Sequence, residues 1–215
     1  MKSLRRCLNT GQMPTSVWEN PTLMSSAESE QPGGRLPAPD ELRLVQEFVN
    51  TNDIEASRDA LATPDALRAW LRSRGWLPRG GRVSRADVHR VLAFREAVRS
   101  LAAANTRAPV DRAALRLLDD GSGKVRIRFG PAGDARLEPE QNGVPGFLSH
   151  VASQIHNAML DGSWSRMKVC RRDVCQWLFY DHSRNNSSTW CAMAVCGNRT
   201  KTRRYYQKRR GVRGS

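Results

Sequence analysis

Long apolar runs are missing from this 215-residue chain. Near its start Leu4, Cys7 and Leu8 give way to polar Asn9, Thr10, Gly11 and Gln12, so the sequence predicts neither a signal peptide nor a membrane-spanning helix. Cysteine is sparse, with five in all, and four of them fall between residues 170 and 196 while Cys7 stands alone. A disulfide framework would use even numbers spread through a small secreted chain, so the pattern points to a soluble protein of a reducing cytoplasm. Catalytic signatures are also absent. There is no glycine-rich phosphate loop, nucleophile elbow or His-Glu-x-x-His stretch. His89, His150 and His156 are dispersed without ligand spacing, and Glu47, Asp53, Glu55 and Glu96 fit solvated charges on helical surfaces. No enzyme is expected.

Acidic residues run out toward the C-terminus. From Trp164 to Ser215 there are thirteen basic residues and two acidic ones, Asp173 and Asp181, so this stretch carries +11 of the formal +14. The other 163 residues sum to +3. A nearly neutral body with a strongly basic end predicts a polyanionic partner, nucleic acid before an anionic membrane.

Residues 1–39 lack sustained periodicity, are rich in Ser, Pro, Gly and Glu, and read as a disordered leader; Met13 and Met24 are alternative starts. Helical patterning begins at Asp40 with Leu42, Val45 and Val49. Thr63-Pro64 signals the head of a helix carrying Leu67, Trp70 and Leu71 and stopping at Gly75. Ser84 with Asp87 resembles a capping box ahead of Val88, Val91, Leu92, Val98 and Leu101. A short helix holds Leu115 and Leu118, and the alternation of Val125, Ile127 and Phe129 with arginines predicts one arm of a hairpin. Leu148, Val151, Ile155 and Met159 mark a last body helix that ends at Asp161-Gly162, a hinge to the basic end. The expected fold is mainly α with a small β-hairpin: a helical domain over 40–162, a four-cysteine finger with a basic helix over 163–210, and a tail over 211–215.

Within the basic end the spacing is Cys170-x4-Cys175, fifteen residues, then Cys191-x4-Cys196. Four thiolates in two short-spaced pairs suit one tetrahedral, structural zinc ion, and Trp177, Leu178, Phe179 and Tyr180 suit a hairpin between the pairs. The competing account is four buried thiols acting as small apolar residues. His182 also lies between the pairs, but four cysteines already complete the shell, so it reads as an exposed loop residue. A closed shell leaves no position for a hydrolytic water. Beyond Cys196-Gly197-Asn198, the cations Arg199, Lys201, Arg203, Arg204, Lys208, Arg209 and Arg210 are interleaved with Tyr205 and Tyr206, with no acidic residue. At helical spacing Arg199, Arg203, Tyr206 and Arg210 share one face, which suits phosphate and base contact.

Trp164 to Cys170, Trp177 to Asn185 and above all Trp190-Cys191-Ala192-Met193-Ala194-Val195-Cys196-Gly197-Asn198-Arg199 closely resemble the CGNR zinc-finger family, over residues 164 to about 205. Phe48-Val49-Asn50-Thr51 and Arg95-Glu96-Ala97-Val98-Arg99 resemble the ABATE domain that usually precedes this finger. The resemblance implies zinc ligands at Cys170, Cys175, Cys191 and Cys196 and a bacterial transcription regulator, stress-responsive by family label. The family often has two arginines before its Trp-Cys, where this chain has Ser188 and Thr189. The expectation is a cytoplasmic DNA-binding regulator whose body senses a small-molecule effector or forms a homodimer; an RNA-binding protein and a protein-interaction adaptor are the alternatives. Asn50, Thr51 and Arg95 are the candidate regulatory residues, since polar Asn-Thr follows an apolar stripe and the resemblance points to the same segment; the plainer account is a helix end and a solvated charge.

Overall fold

The computed structural model describes residues 31–106 and 108–212, with backbone alone at 204, 205 and 208–212. Cys7, the leader up to residue 30 and the last three tail residues lie outside the described residues. Helix α1 spans Leu42–Val49. At the head of α2, Pro64–Ser73, the Thr63 hydroxyl accepts the Ala66 N–H at 3.2 Å, satisfying a donor that the first helical turn leaves open. Ser84 and Asp87 complete both halves of the capping box that opens α3, Arg85–Ala103. Asp111 caps α4, Arg112–Gly121, and α5 runs Gly143–Leu160.

β structure is confined to three two-stranded antiparallel ribbons among the described residues. They pair β1, Asn52–Asp53, with β2, Arg58–Asp59; β3, Val125–Phe129, with β4, Ala135–Pro139; and β5, Met167–Val169, with β6, Leu178–Tyr180. The last helix, α6, is Asn198–Val212. The architecture is therefore mainly α, with a four-cysteine cluster followed by a helix. No helix of the described residues is long and apolar enough to cross a membrane.

Burial follows the helical stripes. Val45, Phe48 and Val49 of α1, Leu67 and Leu71 of α2, Val91 and Val98 of α3 and Phe147, Leu148 and Val151 of α5 are fully enclosed. Phe147 meets Phe48, Trp70 and Trp76 edge-on at centroid distances of 5.0, 5.2 and 5.6 Å. Helix α4 lies along α3 with Ala114 buried and Leu118 partly buried against the core, and Met159 at the end of α5 is exposed.

Two sequence expectations change. Gly162 turns the chain with φ +81°, a conformation glycine adopts without strain, but no separate body follows it. Trp164, Met167, Val169, Leu178 and Tyr180 are buried in the same cluster as Phe48, Val98 and Phe147, so the first ribbon of the finger completes the core of the helical body. The two-residue period of β6 divides its side chains: Leu178 and Tyr180 face that core, while Phe179 packs with the four cysteines in a second, smaller cluster. The second change concerns residues 31–39. They do not form part of a disordered leader but pack as a strap, with Gln31 and Ala38 buried.

The His150 ring on α5 lies tilted against that of Trp76 with centroids 4.7 Å apart, and burial lowers its pKa to about 4; the exposed Glu41 carboxylate lies 3.8 Å from its Nε2. The unfolded chain binds a proton near pH 6.5 that the folded one refuses until about pH 4. Stability is thus full above pH 6.5 and falls as pH drops toward 4. Between pH 7 and 5 the loss is about 2 kcal/mol. Denaturant unfolding of wild type and His150→Gln at both pH values is expected to show a shallower pH dependence in the variant; parallel curves would contradict it.

Candidate metal centre and the basic helix

Cys170 directly follows β5, and its N–H donates to the Trp177 carbonyl at 2.9 Å, closing the turn that carries Cys175. Cys191 precedes a π-helical turn, Met193–Gly197, that contains Cys196 and runs unbroken into α6. The four buried Sγ atoms lie within 4.8 Å of one another, with Cys175 to Cys191 at 3.8 Å and Cys191 to Cys196 at 3.6 Å. Tetrahedral zinc with bonds of about 2.3 Å would set neighbouring sulfurs about 3.8 Å apart. The donor set and its spacing therefore fit a metal ion of this kind.

Electrostatics give the same answer. Hydrogen bonds from Cys175 and Cys191 pull the Cys170 thiol down, whereas the Cys170 contact pushes Cys175 and Cys191 up. One thiolate thus opposes ionisation of its neighbours, and a divalent cation is what would let all four ionise together. His182 is exposed, with Nε2 3.0 Å from the Pro37 carbonyl, and is not among the clustered ligands.

The supports of the centre come from far along the sequence. Arg35 donates through Nε to the Cys191 carbonyl at 2.7 Å, through its terminal nitrogens to those of Tyr180 at 3.1 Å and Trp190 at 3.2 Å, and stands 4.7 Å over the Phe179 ring. Gly33 passes so close to Ala192 that an added Cβ would sit 2.7 Å from the alanine methyl. On the other side Asp181, fully buried, accepts from Lys168 at 2.8 Å and from the Ser188 N–H and hydroxyl at 2.8 Å each, fixing the loop that leads to Cys191. Burial alone would raise the Asp181 carboxyl, but Lys168, Ser183 and Ser188 hold it far below the usual range.

Asn50, Thr51 and Arg95 are engaged with the protein itself. The Asn50 amide both donates to the Leu178 carbonyl at 2.8 Å and accepts the Leu178 N–H at 2.9 Å, so it caps α1 and pairs with the free edge of β6. Arg95 is only 2% exposed, not a solvated charge. It bonds Asp59 at 2.6 and 2.8 Å, Glu96 at 2.9 Å and the Thr51 hydroxyl at 3.1 Å. Arg99, one turn on, is equally buried and reaches the carbonyls of Val49, Asn52 and Gln176, joining body to finger. Arg95 occupies a position of the Val91–Val98 stripe, a signal present in the sequence. No local pattern announces Arg35 or Asp181.

Of the basic residues, Arg199 is exposed but not isolated: it donates to Glu55 at 2.9 Å, and the same carboxylate oxygen accepts from Arg172 at 2.6 Å. Arg172, not Arg199, borders the thiol cluster, through Cys196. Lys201 and Arg203 are exposed on α6; its backbone also places Arg204, Lys208, Arg209 and Arg210 along the helix.

Two family models match the chain in tandem. ABATE, described as "Putative stress-induced transcription regulator", covers residues 42–161, more than half of the chain, and the CGNR zinc finger covers 166–209. These are regulator and zinc-finger families, not enzyme families. No curated protein matches the chain.

Proposed function

The chain belongs to the ABATE family and carries a CGNR zinc finger, and from that premise we propose that it is a DNA-binding transcription regulator. One observation supports this reading above the others: the π-turn that carries Cys196, the last of the four clustered cysteines, continues directly into a helix that bears cations and no carboxylate. Cys170, Cys175, Cys191 and Cys196 would hold a zinc ion, whose charge would let the four thiols ionise together. The chain's own residues do the rest. Arg203 and Lys201 project from a helix whose root is fixed, so they meet phosphates with less ordering entropy than cations on a free tail would lose. Arg199 and Arg172 share Glu55, a carboxylate that an incoming phosphate must replace.

Glu55→Gln is therefore expected to tighten duplex binding about two- to fivefold, the scale of an exposed ion pair. Fluorescence anisotropy at fixed salt measures it; unchanged or weaker binding would show that Arg199 and Arg172 do not face the nucleic acid. Cross-linking in cells followed by sequencing of the DNA and RNA bound to the tagged protein tests the assignment itself. Recovery of RNA without DNA would replace it with the RNA-binding reading.

A further inference from the structure

Strand β3 is the outer member of its hairpin. Its neighbour β4 lies against α5, whereas all five β3 residues are exposed and pair, among the described residues, with β4 alone. The register shows which backbone groups this leaves open. The Glu140 N–H donates to the Lys124 carbonyl at 3.0 Å and the Gly130 N–H to the Asp134 carbonyl at 2.9 Å, so the even-numbered residues of β3 are the ones bonded to β4. Antiparallel pairs alternate, and the amides and carbonyls of Val125, Ile127 and Phe129 therefore point to the free edge.

The side chains divide with the same period of two. Val125, Ile127 and Phe129 share one face and are 40%, 63% and 76% exposed. Scattered apolar side chains are ordinary at a surface, but this row, beside open backbone amides, forms a continuous patch. On the other face Arg126, Arg128 and Arg136 converge on Glu138, at 3.5, 3.0 and 2.9 Å. One carboxylate neutralises one guanidinium group of the three, and each arginine side chain stays about half exposed.

A free edge with an apolar face invites another strand unless something opposes it. The arginines decide which strand can add. If a second copy joined antiparallel through Ile127, Arg126 of each copy would stand opposite Arg128 of the other, a like-charge pair that disfavours the sheet. Stacking two copies face to face also falls short: a two-stranded face of this length covers roughly 170 Å², against about 800 Å² per partner in a stable complex. A strand that sets carboxylates opposite Arg126 and Arg128 turns the same repulsion into attraction.

We propose that the free edge of β3 takes up an extended segment of a partner protein in which apolar residues alternate with Asp or Glu. Its apolar side chains extend the face of Val125, Ile127 and Phe129, its carboxylates meet Arg126 and Arg128, and its backbone bonds the open amides and carbonyls of β3. The inference does not depend on DNA binding.

Fluorescence anisotropy of the metal-loaded full chain with a labelled peptide, acetyl-Thr-Val-Glu-Val-Glu-Val-Thr-amide, tests it. Binding is expected to be at least about tenfold tighter than for the peptide with Lys in place of Glu, since the cross-strand pairs change from attractive to repulsive. A peptide of the same composition with its Glu residues adjacent keeps the charge and loses the alternation. It should also bind about tenfold more weakly, which separates the edge of β3 from non-specific attraction to the basic α6. Methylating the backbone nitrogen of the central Val removes a donor to Ile127 and should abolish binding. In the protein, Phe129→Ser changes an exposed side chain and should weaken binding about tenfold. Should that variant fail to fold, the peptides decide alone. No binding at millimolar peptide, equal binding of the Lys or rearranged peptide, or binding that Phe129→Ser leaves unchanged would overturn the proposal. So would self-association of the chain that Phe129→Ser abolishes, which would assign the edge to a second copy.

Discussion

Removing the metal is expected to unfold the described chain as one unit, not the finger alone. Structural zinc contributes on the order of 10 kcal/mol to modules of this kind, more than the whole stability of many domains. The loss does not stop at the finger, because β5 and β6 supply Met167, Val169, Leu178 and Tyr180 to the body's core. Exposing each side chain of this size costs about 1.5–3 kcal/mol. Cys191→Ser should act as chelation does, since a neutral hydroxyl does not replace a thiolate, whereas Cys7→Ser should leave metal content and fold unchanged. Hydrogen exchange measured before and after chelation gives the test: protection should fall together in β6 and in α1, whose Asn50 is bonded to that strand. Metal analysis showing no zinc in protein purified without chelator, with β6 still protected, would contradict the account. So would a body that keeps its protection when the finger loses its own.

Lys168→Met should be nearly as damaging. The Lys168 and Asp181 side chains are 4% and 0% exposed, so the substitution leaves a carboxylate buried without its cation, a change that costs about 3–5 kcal/mol. The destabilised region should include the metal site, because Asp181 holds Ser183 and Ser188 in the loop that leads to Cys191. Removing both charges with Lys168→Met and Asp181→Leu should recover part of the loss, since no unpaired ion remains. The pair also sets an acid limit. With the folded Asp181 pKa held below its unfolded value, the stability it lends is complete above about pH 4 and is lost as pH falls further. Denaturant midpoints for both variants measure these effects, and a Lys168→Met protein as stable as wild type would show that Asp181 is not ionised in the fold.

Local chemistry was legible in the sequence, and long-range chemistry was not. Thr63 and Ser84 cap the helices they were expected to cap because an N-cap needs only its own next three residues. The cysteine cluster was legible because metal geometry forces short spacings onto the chain. Arg35 could not be assigned, since its partners Tyr180, Trp190 and Cys191 are more than 140 residues away and are backbone carbonyls, which carry no sequence signature. For the same reason Asn50 read as a helix end or a regulatory residue and not as the clip on β6. Arg95 reads as a regulatory residue or a solvated charge, although it falls within an apolar stripe; its burial, and that of Arg99, depends on Asp59 and Glu96 meeting them in space.

The salt dependence of duplex binding tests the central claim most directly. If Arg199, Arg203, Arg204, Lys208, Arg209 and Arg210 meet phosphates, the metal-loaded chain should bind duplex DNA with a log-log salt slope of about −5. Replacing Arg203 with Ala should flatten that slope by about one while zinc stays bound. A metal-loaded, folded chain that binds no duplex, or binds with a slope near zero that Arg203→Ala leaves untouched, would contradict the account.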